Sequence, residues 1–318
     1  MTTRRSFLKN IAWASTALST TSILACTNKP KPITNQVIEK ELKISLAQWS
    51  LNRAFFAKKI DPIDFANIAI KEYAIKAIEF VSQFYIDHAK EDSFWIAMKE
   101  RSYNVDVENL LIMVDDEGDL GNTNDAKRKT AVENHYKWVH AAKLSGCHSI
   151  RVNAFGEGTK EAVRTALIDG MGQLATYAAK ENINIIIENH GLFSSDGKFI
   201  TSIMKEVNMP NFGTLPDFGN WCTNAKWGST QKNKCDEVYD RYQGVKDFLP
   251  YAKGVSAKSY NFNKKGEDTI IDYQKMLKIV KDSDYNGYIG IEYEGEDLGE
   301  SEGIRITKAL MEKVWKNL

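Results

Sequence analysis

The chain has 318 residues, of which 43% are hydrophobic, so it is long enough to bury a large core. Lys and Arg together number 42, and so do Asp and Glu, which gives a formal net charge of zero. A protein dedicated to nucleic acid needs excess positive charge to neutralise phosphates, so this balance argues against that class. The length fits either one large barrel or two modest domains.

The first 26 residues predict a cleaved export signal. The run Thr3–Lys9 (TRRSFLK) has the pattern of a twin-arginine signal, and the apolar stretch Ile11–Leu24 follows it. This stretch is too short and too rich in Ser and Thr to predict a membrane span. It ends in Ile23–Cys26 (ILAC), which is typical of a bacterial lipobox, so we expect Cys26 to be lipidated. An ordinary buried helix with a stray cysteine is the alternative.

The signal predicts a cell-envelope lipoprotein that is exported by the twin-arginine route and faces the periplasm. Its only membrane contact would be the N-terminal lipid. Residues 27–41 predict a polar tether, because Pro30 and Pro32 oppose a helix there. Removal of the first 25 residues leaves 39 basic and 42 acidic residues, which makes nucleic acid still less suitable as a partner.

The remaining cysteines do not suggest a disulfide framework. Besides Cys26 the chain has Cys147, Cys222 and Cys235, which is an odd number. Cys222 and Cys235 could pair across a loop, but we expect unpaired thiols.

Eight short apolar runs recur along residues 42–318 and predict strands. They are Lys43–Trp49, Ala77–Ser82, Val105–Val114, His148–Asn153, Ile183–Glu188, Gly213–Asp217, Gly254–Ser259 and Tyr288–Tyr293. Helix-like segments with apolar residues at three- and four-residue spacing separate them; examples are Pro62–Tyr73, Asp125–Ser145, Glu161–Glu181 and Asp272–Asp282. Eight such units predict an α/β fold, a (β/α)8 TIM barrel, as a single domain over residues 42–318. A doubly wound open sheet is the alternative, but no glycine-rich phosphate loop follows the first strand.

Polar residues cluster where the predicted strands end, and in a TIM barrel those ends line the active site. The cluster comprises Glu79, Arg151, Asn153, Glu188, Asn189, His190, Asp217, Asn220, Trp221, Lys258 and Glu292. Buried charges need partners or a bound cation, so three carboxylates and a lysine around one half of the mouth indicate a functional site. Trp49, on the first strand, would supply a wall on which a sugar ring could stack.

Four motifs carry a resemblance to a known family. They are IIIENHG, PDFGNW, GVSAKSYNF and GIEYEG, on predicted strands 5 to 8. In this order and at this spacing they resemble the xylose isomerase-like TIM barrels. That family includes sugar phosphate isomerases/epimerases, ketose 3-epimerases and the related endonuclease IV, also called AP endonuclease family 2. The resemblance covers residues 43–318, and the opening SLAQWSLNRAF resembles the exported lipoprotein branch of the group.

The resemblance implies one divalent metal ion, held by a Glu, an Asp, a His and a Glu from strands 5 to 8. On this chain the carboxylates are Glu188, Asp217 and Glu292, but the histidine position is Ser256. Three carboxylates suit Mn²⁺ or Mg²⁺ better than Zn²⁺. A site without its imidazole could also bind metal weakly or not at all, and Lys258 would then supply the positive charge.

The resemblance also implies the chemistry, which is isomerisation or epimerisation of a sugar or keto-sugar by proton abstraction next to a carbonyl. Glu188 and Glu292, on opposite faces, would remove and return the proton, while a metal ion or Lys258 stabilises the oxygen charge. Expulsion of a β-substituent would instead make the protein a keto-glycoside lyase or hydratase. The residues expected to contact the sugar or glycoside substrate are His190, Arg151, Asn153, Glu79, Trp49, Asn220 and Trp221.

Two other function classes stay open. A catalytically inactive carbohydrate-binding lipoprotein would use the same mouth without chemistry, and the missing strand-7 histidine favours that alternative. A nuclease would need a cluster of metal-binding histidines and a basic face, and most of the five histidines fall away from the mouth. We expect residues 115–125 to be a solvated acidic loop and residues 219–233, which contain Trp221 and Trp227, to be a lid.

Overall fold

The computed structural model describes residues 40–231 and 235–318. The predicted export signal, the lipidation site at Cys26 and most of the predicted tether lie outside these residues and stay predictions. Lys40 is already part of the folded domain, because its ammonium group donates to the carbonyls of Val280, Lys281 and Ser283 at the end of a helix. None of the helices in the described ranges is long and apolar enough to cross a membrane.

All eight predicted strands are present, with ends moved by at most three residues. They are β1 (Ile44–Ala47), β2 (Ala77–Val81), β3 (Glu108–Met113), β4 (Ser149–Asn153), β5 (Asn184–Glu188), β6 (Phe212–Leu215), β7 (Val255–Ser259) and β8 (Ile289–Tyr293). Neighbouring strands pair in parallel in the order β6-β5-β4-β3-β2-β1-β8-β7. Single parallel bridges, Thr214 to Ala252 and Asp217 to Ser256, join the chain at β6 and β7 and close the curled sheet.

Helices surround the strands, as the alternating pattern predicts. In the described ranges they are α1 (Asn52–Phe56), α2 (Phe65–Tyr73), α3 (Asp92–Tyr103), α4 (Asp125–Ser145), α5 (Lys160–Ala179), α6 (Gly197–Val207), α7 (Arg241–Phe248), α8 (Tyr273–Asp282) and α9 (Glu300–Asn317). Side-chain caps define several starts: Asn124 accepts from the amide of Lys127, and Thr159 accepts from that of Ala162. The result is a single-domain (β/α)8 TIM barrel.

The strands divide the apolar residues into two layers because successive side chains point to opposite faces. Outward-facing residues such as Ile185 and Ile187 pack with the helices in a large outer core. Ile186, between them, belongs to a small inner cluster with Val81, Met113 and other residues. This inner cluster fills part of the barrel interior, and the charged residues that face the same interior continue toward the C-terminal mouth.

Candidate active site

The first half of the site is built where β5 and β6 end. The apolar run of β5 stops at Glu188, which is 1% exposed. The next residue, Asn189, fixes the backbone of the neighbouring strand end: its Oδ1 accepts from the amide of Asp217 at 2.7 Å, and its Nδ2 donates to the carbonyls of Asp217 and Asn220. Asn189 therefore positions Asp217 relative to Glu188 and is a structural member of the site.

Ser256 lies between two carboxylates. Its Oγ is 2.6 Å from Oδ2 of Asp217 and 2.8 Å from Oε2 of Glu292. A hydroxyl carries one proton and can donate it to one acceptor only. The second short contact therefore requires a proton on one of the carboxyl groups, or a cation among the three oxygens. The structure places Ser256, the residue at the expected histidine position, at the centre of the cluster.

Lys258 is the cation of this cluster, and only 1% of its surface is exposed. Its Nζ is 2.9 Å from Oε1 of Glu292, 3.2 Å from Oε1 of Glu294 and 3.8 Å from Oδ2 of Asp217. Burial acts to lower the pKa of Lys258, but the surrounding carboxylates, Asp217 first, raise it well above its usual value. Lys258 is therefore a permanent positive charge at neutral pH and is unsuited to act as a base.

Arg151, on β4, is the second buried cation. Its Nη1 is 2.7 Å from Oδ1 of Asp115, and its Nε is 2.8 Å from Oε2 of Glu188. The contact with Glu188 joins the two charges, but the N–H direction is not aligned for a hydrogen bond. Burial acts to lower the pKa of Arg151, but the neighbouring carboxylates outweigh this effect and raise that pKa above its usual value. This pairing corrects the expectation that residues 115–125 are solvated: Asp115 and Glu117 are both buried.

A hydrogen-bond chain fixes the ring of His190. Asn153 donates from Nδ2 to Asp115, so its Oδ1 is left as an acceptor, and that oxygen is 2.7 Å from Nδ1 of His190. The proton is consequently on Nδ1, and Nε2 is an acceptor. Burial, with Arg151 nearby, lowers the pKa of His190 to about 3, so the imidazole is neutral. His190 can accept a hydrogen bond from a substrate hydroxyl but carries no charge.

The carboxyl groups outnumber the cations around them, and this changes their protonation. Two cations, Arg151 and Lys258, make close contacts with five carboxyl groups, those of Asp115, Glu188, Asp217, Glu292 and Glu294. Burial, only partly opposed by Arg151, raises the pKa of Glu188 well above its usual value, and the nearby Glu292 and Asp217 raise it further. Burial likewise raises the pKa of Asp217 to about 6, against the effect of Lys258. Protons or a bound cation can relieve the excess negative charge.

The residues present fit a hard divalent cation. One oxygen each from Glu188, Asp217 and Glu292 lies within 4.8 Å of the others, and all three side chains are buried. The hydroxyl of Ser256 adds a fourth oxygen between two of them. This buried Glu/Asp/Glu cluster could bind a metal ion, and its donor set consists of oxygen alone.

Trp49 and Asn220 lie with the cluster, as the sequence predicts. The indole N–H of Trp49 donates to Oε1 of Glu294 at 2.7 Å, which places the ring beside the Lys258 network. Asn220 donates from its backbone amide to Asp217 at 2.8 Å, and its side-chain amide is 3.4 Å from Glu188. The roles of these residues toward a substrate stay predictions.

The predictions for Trp221 and Glu79 as substrate contacts are wrong in this structure. The ring of Trp221 has no exposed surface and packs on Tyr239, Phe248 and Gly244 in the outer core. Glu79 faces Gly290, two residues before Glu292 on β8, and accepts a hydrogen bond from Ser45. It therefore lies one layer below the cluster, out of direct reach of a substrate at the mouth.

The expectation of unpaired thiols is wrong for two cysteines. Cys222 and Cys235 form a disulfide that closes part of the loop between β6 and α7, while Cys147 is a buried free thiol. With Cys26 lipidated and Cys147 buried alone, an odd cysteine count is compatible with one bridge. An odd number of cysteines shows only that not every thiol can be in a disulfide.

The charged network also contains Asp115 and Glu294. The sequence pattern placed Asp115 in a solvated loop and Glu294 behind Glu292 on strand 8, with no role for either. The period-two alternation of strands could have found both. Asp115 follows Leu111 and Met113 on the inward face of β3, and Glu294 follows Glu292 on that of β8.

A model of the family described as the xylose isomerase-like TIM barrel matches residues 68–314. No curated protein sequence matches the chain significantly. The solved structure of the 3-keto-D-glucoside 4-epimerase YcjR from E. coli is similar, with TM-score 0.65, 14% identity, and coverage of 86% of this chain and 100% of that one. A D-psicose 3-epimerase solved with D-fructose gives TM-score 0.64 and 11% identity, with 86% and 99% covered.

The IOLI protein, solved with a zinc atom, gives TM-score 0.63 and 13% identity, and 87% of this chain and 99% of that one are covered. At these identities the solved structures support the fold alone, whereas the family model matches well over half of the sequence. The chain therefore belongs to the xylose isomerase-like TIM barrel family.

Proposed function

We propose that the protein is a sugar or keto-sugar isomerase/epimerase that works by proton transfer at the carbon next to a carbonyl. The observation that carries this proposal is the buried cluster of Glu188, Asp217 and Glu292 with the ammonium group of Lys258 against it. Sugar epimerases among the structures of similar fold support the same class. The cluster lies at the end of the barrel where this fold carries its active sites.

The carboxylates suit the role of bases. Glu188, whose pKa burial raises, is a stronger base when ionised than an exposed glutamate, which favours removal of a proton from carbon. Glu292 comes from β8, across the cluster from β5, and would return the proton on the other face. Lys258 would stabilise the charge that develops on the substrate oxygen, because its positive charge is permanent. His190, held neutral, would accept from a sugar hydroxyl.

We further propose that Glu188, Asp217 and Glu292 hold a divalent cation, Mn²⁺ or Mg²⁺ rather than Zn²⁺. The argument is the oxygen-only donor set and the excess of carboxylates over cations. A bound ion would supply a further positive charge at the substrate oxygens. Arg151 keeps Glu188 oriented toward the cluster by its 2.8 Å contact.

A keto-glycoside lyase or hydratase is a second candidate. The raised pKa of Glu188 favours it, because the carboxyl group that has taken the proton from carbon can then deliver that proton to a departing alkoxide. Both reactions begin with the same proton abstraction. Product analysis separates them, since elimination releases a sugar or alcohol and epimerisation does not.

Proton exchange with solvent tests the proposed chemistry. The mature protein, loaded with Mn²⁺, would be incubated in D₂O with D-fructose, D-psicose and 3-keto-glucosides, and deuterium next to the carbonyl would be followed by NMR. We expect incorporation with wild type and at least a 100-fold loss in Glu188→Gln and in Glu292→Gln. Glu312→Gln, in an exposed ion pair with Lys308, is the matched control. Incorporation at the wild-type rate in both variants, or a wild type without any, would contradict the proposal and favour a sugar-binding protein without chemistry.

We also propose that the protein is an exported lipoprotein of the cell envelope, with no nucleic-acid partner. The disulfide between Cys222 and Cys235 supports export, because such bonds persist mainly in oxidising compartments. Cell fractionation tests this proposal: replacement of Arg4 and Arg5 by Lys should leave the protein in the cytoplasm. Cys26→Ser should release it from the membrane fraction. A membrane-bound Cys26→Ser protein would contradict lipidation at that residue.

A further inference from the structure

We propose that the loop after β6 builds a second sugar-binding subsite beside the catalytic cluster. The substrate would then be a glycoside or oligosaccharide whose adjoining neutral ring packs on Trp227. This inference rests on the proposed function for the reacting sugar, and it adds the substrate class. We call residues 216–231 the mouth loop.

A cavity of about 230 Å³ lies between the mouth loop and the loop after β3. Its lining includes Asp116, Asp119, Asn153, Phe155, Lys226 and Trp227. Asn153 belongs to this lining and also bonds to Nδ1 of His190 at 2.7 Å. The cavity therefore borders the candidate active site at Asn153, and in our proposal it holds a ring that is linked to the reacting sugar.

Aromatic rings form one wall of the cavity. Trp227 is 39% exposed, and its ring meets Phe155 edge to face at 5.5 Å and His190 at 5.1 Å between centroids. The ammonium group of Lys226 lies 4.8 Å from the centroid of Phe155 and 5.0 Å from that of Trp227. An aromatic surface with polar groups around it suits a sugar ring, which has apolar C–H faces and hydroxyls at its edge.

The mouth loop is held in place, so that Trp227 is presented in a defined position. Gly191, directly after His190, pairs with Lys226 in an antiparallel bridge. A side chain at Gly191 would meet the carbonyl of Ala225 at 2.2 Å, so only glycine allows this approach. The disulfide from Cys222 ties the far side of the loop. A rigid binding surface loses less entropy when a ligand binds, which favours a subsite over a mobile lid.

The charges around the cavity select a neutral ring. Two carboxylates of the lining, Asp116 and Asp119, outnumber its one lysine, Lys226, whose ammonium group lies over the aromatic rings. Glu117 is already paired with Lys137 and Trp138. Carboxylates in the wall repel phosphates and acidic sugars and can accept hydrogen bonds from hydroxyls. The ligand class is therefore a neutral pyranose or furanose linked to the reacting sugar.

Binding of unreactive sugars tests the subsite without relying on turnover. Isothermal titration of the mature protein would compare D-glucose and D-fructose with trehalose, maltose, cellobiose, lactose and sucrose. We expect at least one disaccharide to bind ten-fold or more tightly than either monosaccharide. Trp227→Ala should remove most of that difference, because it should weaken disaccharide binding far more than monosaccharide binding, while Trp227→Phe should retain most of it. Tyr103→Ala, at an exposed aromatic on α3, is the control.

Three results would overturn the subsite: no sugar binds, disaccharides bind no more tightly than monosaccharides, or Trp227→Ala weakens both equally. Circular dichroism of both Trp227 variants shows whether they keep the fold, and Trp227→Phe alone decides the question if Trp227→Ala does not. The two experiments test the subsite and the reaction independently. A disaccharide preference without deuterium exchange in any keto-sugar supports the subsite and contradicts the reaction, whereas exchange without the preference contradicts the subsite alone.

Discussion

Lys258 combines two roles at the scale of a single residue. It is buried and neutralises Glu292 and Glu294, and in the proposed function it would also stabilise the charge on a substrate oxygen. A buried ion pair costs desolvation energy. Removal of Lys258 alone would not recover that cost, because it would leave the buried carboxylates without their partner. The stability of the barrel and the chemistry of the site therefore depend on the same ammonium group.

Lys258→Met should lower the free energy of unfolding at pH 7 by about 3–5 kcal/mol in the presence of chelator. The loss should shrink at pH 5, because Asp217 and its neighbours can take up protons once their cation is gone. Urea unfolding at the two pH values measures this. Lys278→Met, at an exposed pair with Asp282, should have little effect. An equal loss at both pH values would show that packing, and not charge, is what Lys258 contributes.

Glu79 is a carboxyl group below the catalytic cluster. It is 2% exposed, and burial raises its pKa from 4.5 to about 7, with Glu292 adding to the rise and Ser45 and Arg151 opposing it. A pKa raised in the folded state means that the group stabilises the fold at low pH, and that this stability is lost as the pH rises through about 7. The wild type should thus be less stable at pH 8 than at pH 4.5 because of this residue.

Glu79→Gln, which resembles the protonated acid and does not titrate, should raise the free energy of unfolding at pH 8 by about 3 kcal/mol. At pH 4.5 the variant and the wild type should be nearly equal. Urea unfolding with chelator gives both values, and Glu312→Gln is again the exposed control. A variant that is less stable than wild type at both pH values would mean that Glu79 is ionised in the fold.

At the scale of elements, the loops carry most of what is specific to this barrel. The eight strands lie where their apolar spacing predicts, with ends moved by at most three residues, since that spacing follows directly from geometry. The loop after β3 brings the buried Asp115 to Arg151, and the loop after β6 carries a disulfide and Trp227. Loop contacts join residues that are far apart in the sequence, so no local pattern predicts them.

Reduction of the disulfide should destabilise the fold through the loop after β6. Cys222→Ser with Cys235→Ser should lower the free energy of unfolding by about 2–3 kcal/mol, the range for a bridge that closes a short loop. Dithiothreitol should lower the stability of the wild type by a similar amount and leave the double variant unchanged. Cys147→Ala keeps the bridge and should retain the response to dithiothreitol. A wild type that does not respond would indicate that the bridge contributes nothing.

At the scale of the whole molecule, a metal ion would stabilise the barrel because residues from β5, β8 and the loop after β6 would all bind the same ion. Saturating Mn²⁺ or Mg²⁺, at about 100 times Kd, should stabilise the fold by about 2.7 kcal/mol and raise the Tm by several degrees. Asp217→Asn should abolish the shift, because that residue is one of three ligands. Asp282→Asn, at an exposed carboxylate that pairs with Lys278 on α8, should keep it. A Tm that is insensitive to metal in wild type would contradict metal binding and favour Lys258 as the group that stabilises the charge on the substrate oxygen.

The amino-acid sequence by itself determined the barrel, the order of its strands and the residue types at their C-terminal ends. Side-chain periodicity and strand–helix alternation are local properties, and parallel strands in one barrel must end at one mouth. Thus Glu188, Asp217, Lys258 and Glu292 could be assigned to one site before any contact was known.

Only the tertiary structure decided which of those charges are paired, how deep each lies and which rings face the mouth. Glu79 and Trp221 have the right types at the right positions, yet one lies a layer too deep and the other packs on α7. Cys222 and Cys235 meet through the path of a loop that no count of thiols describes. Pairing, depth and loop path are set by the simultaneous packing of distant segments, and a local pattern does not contain that information.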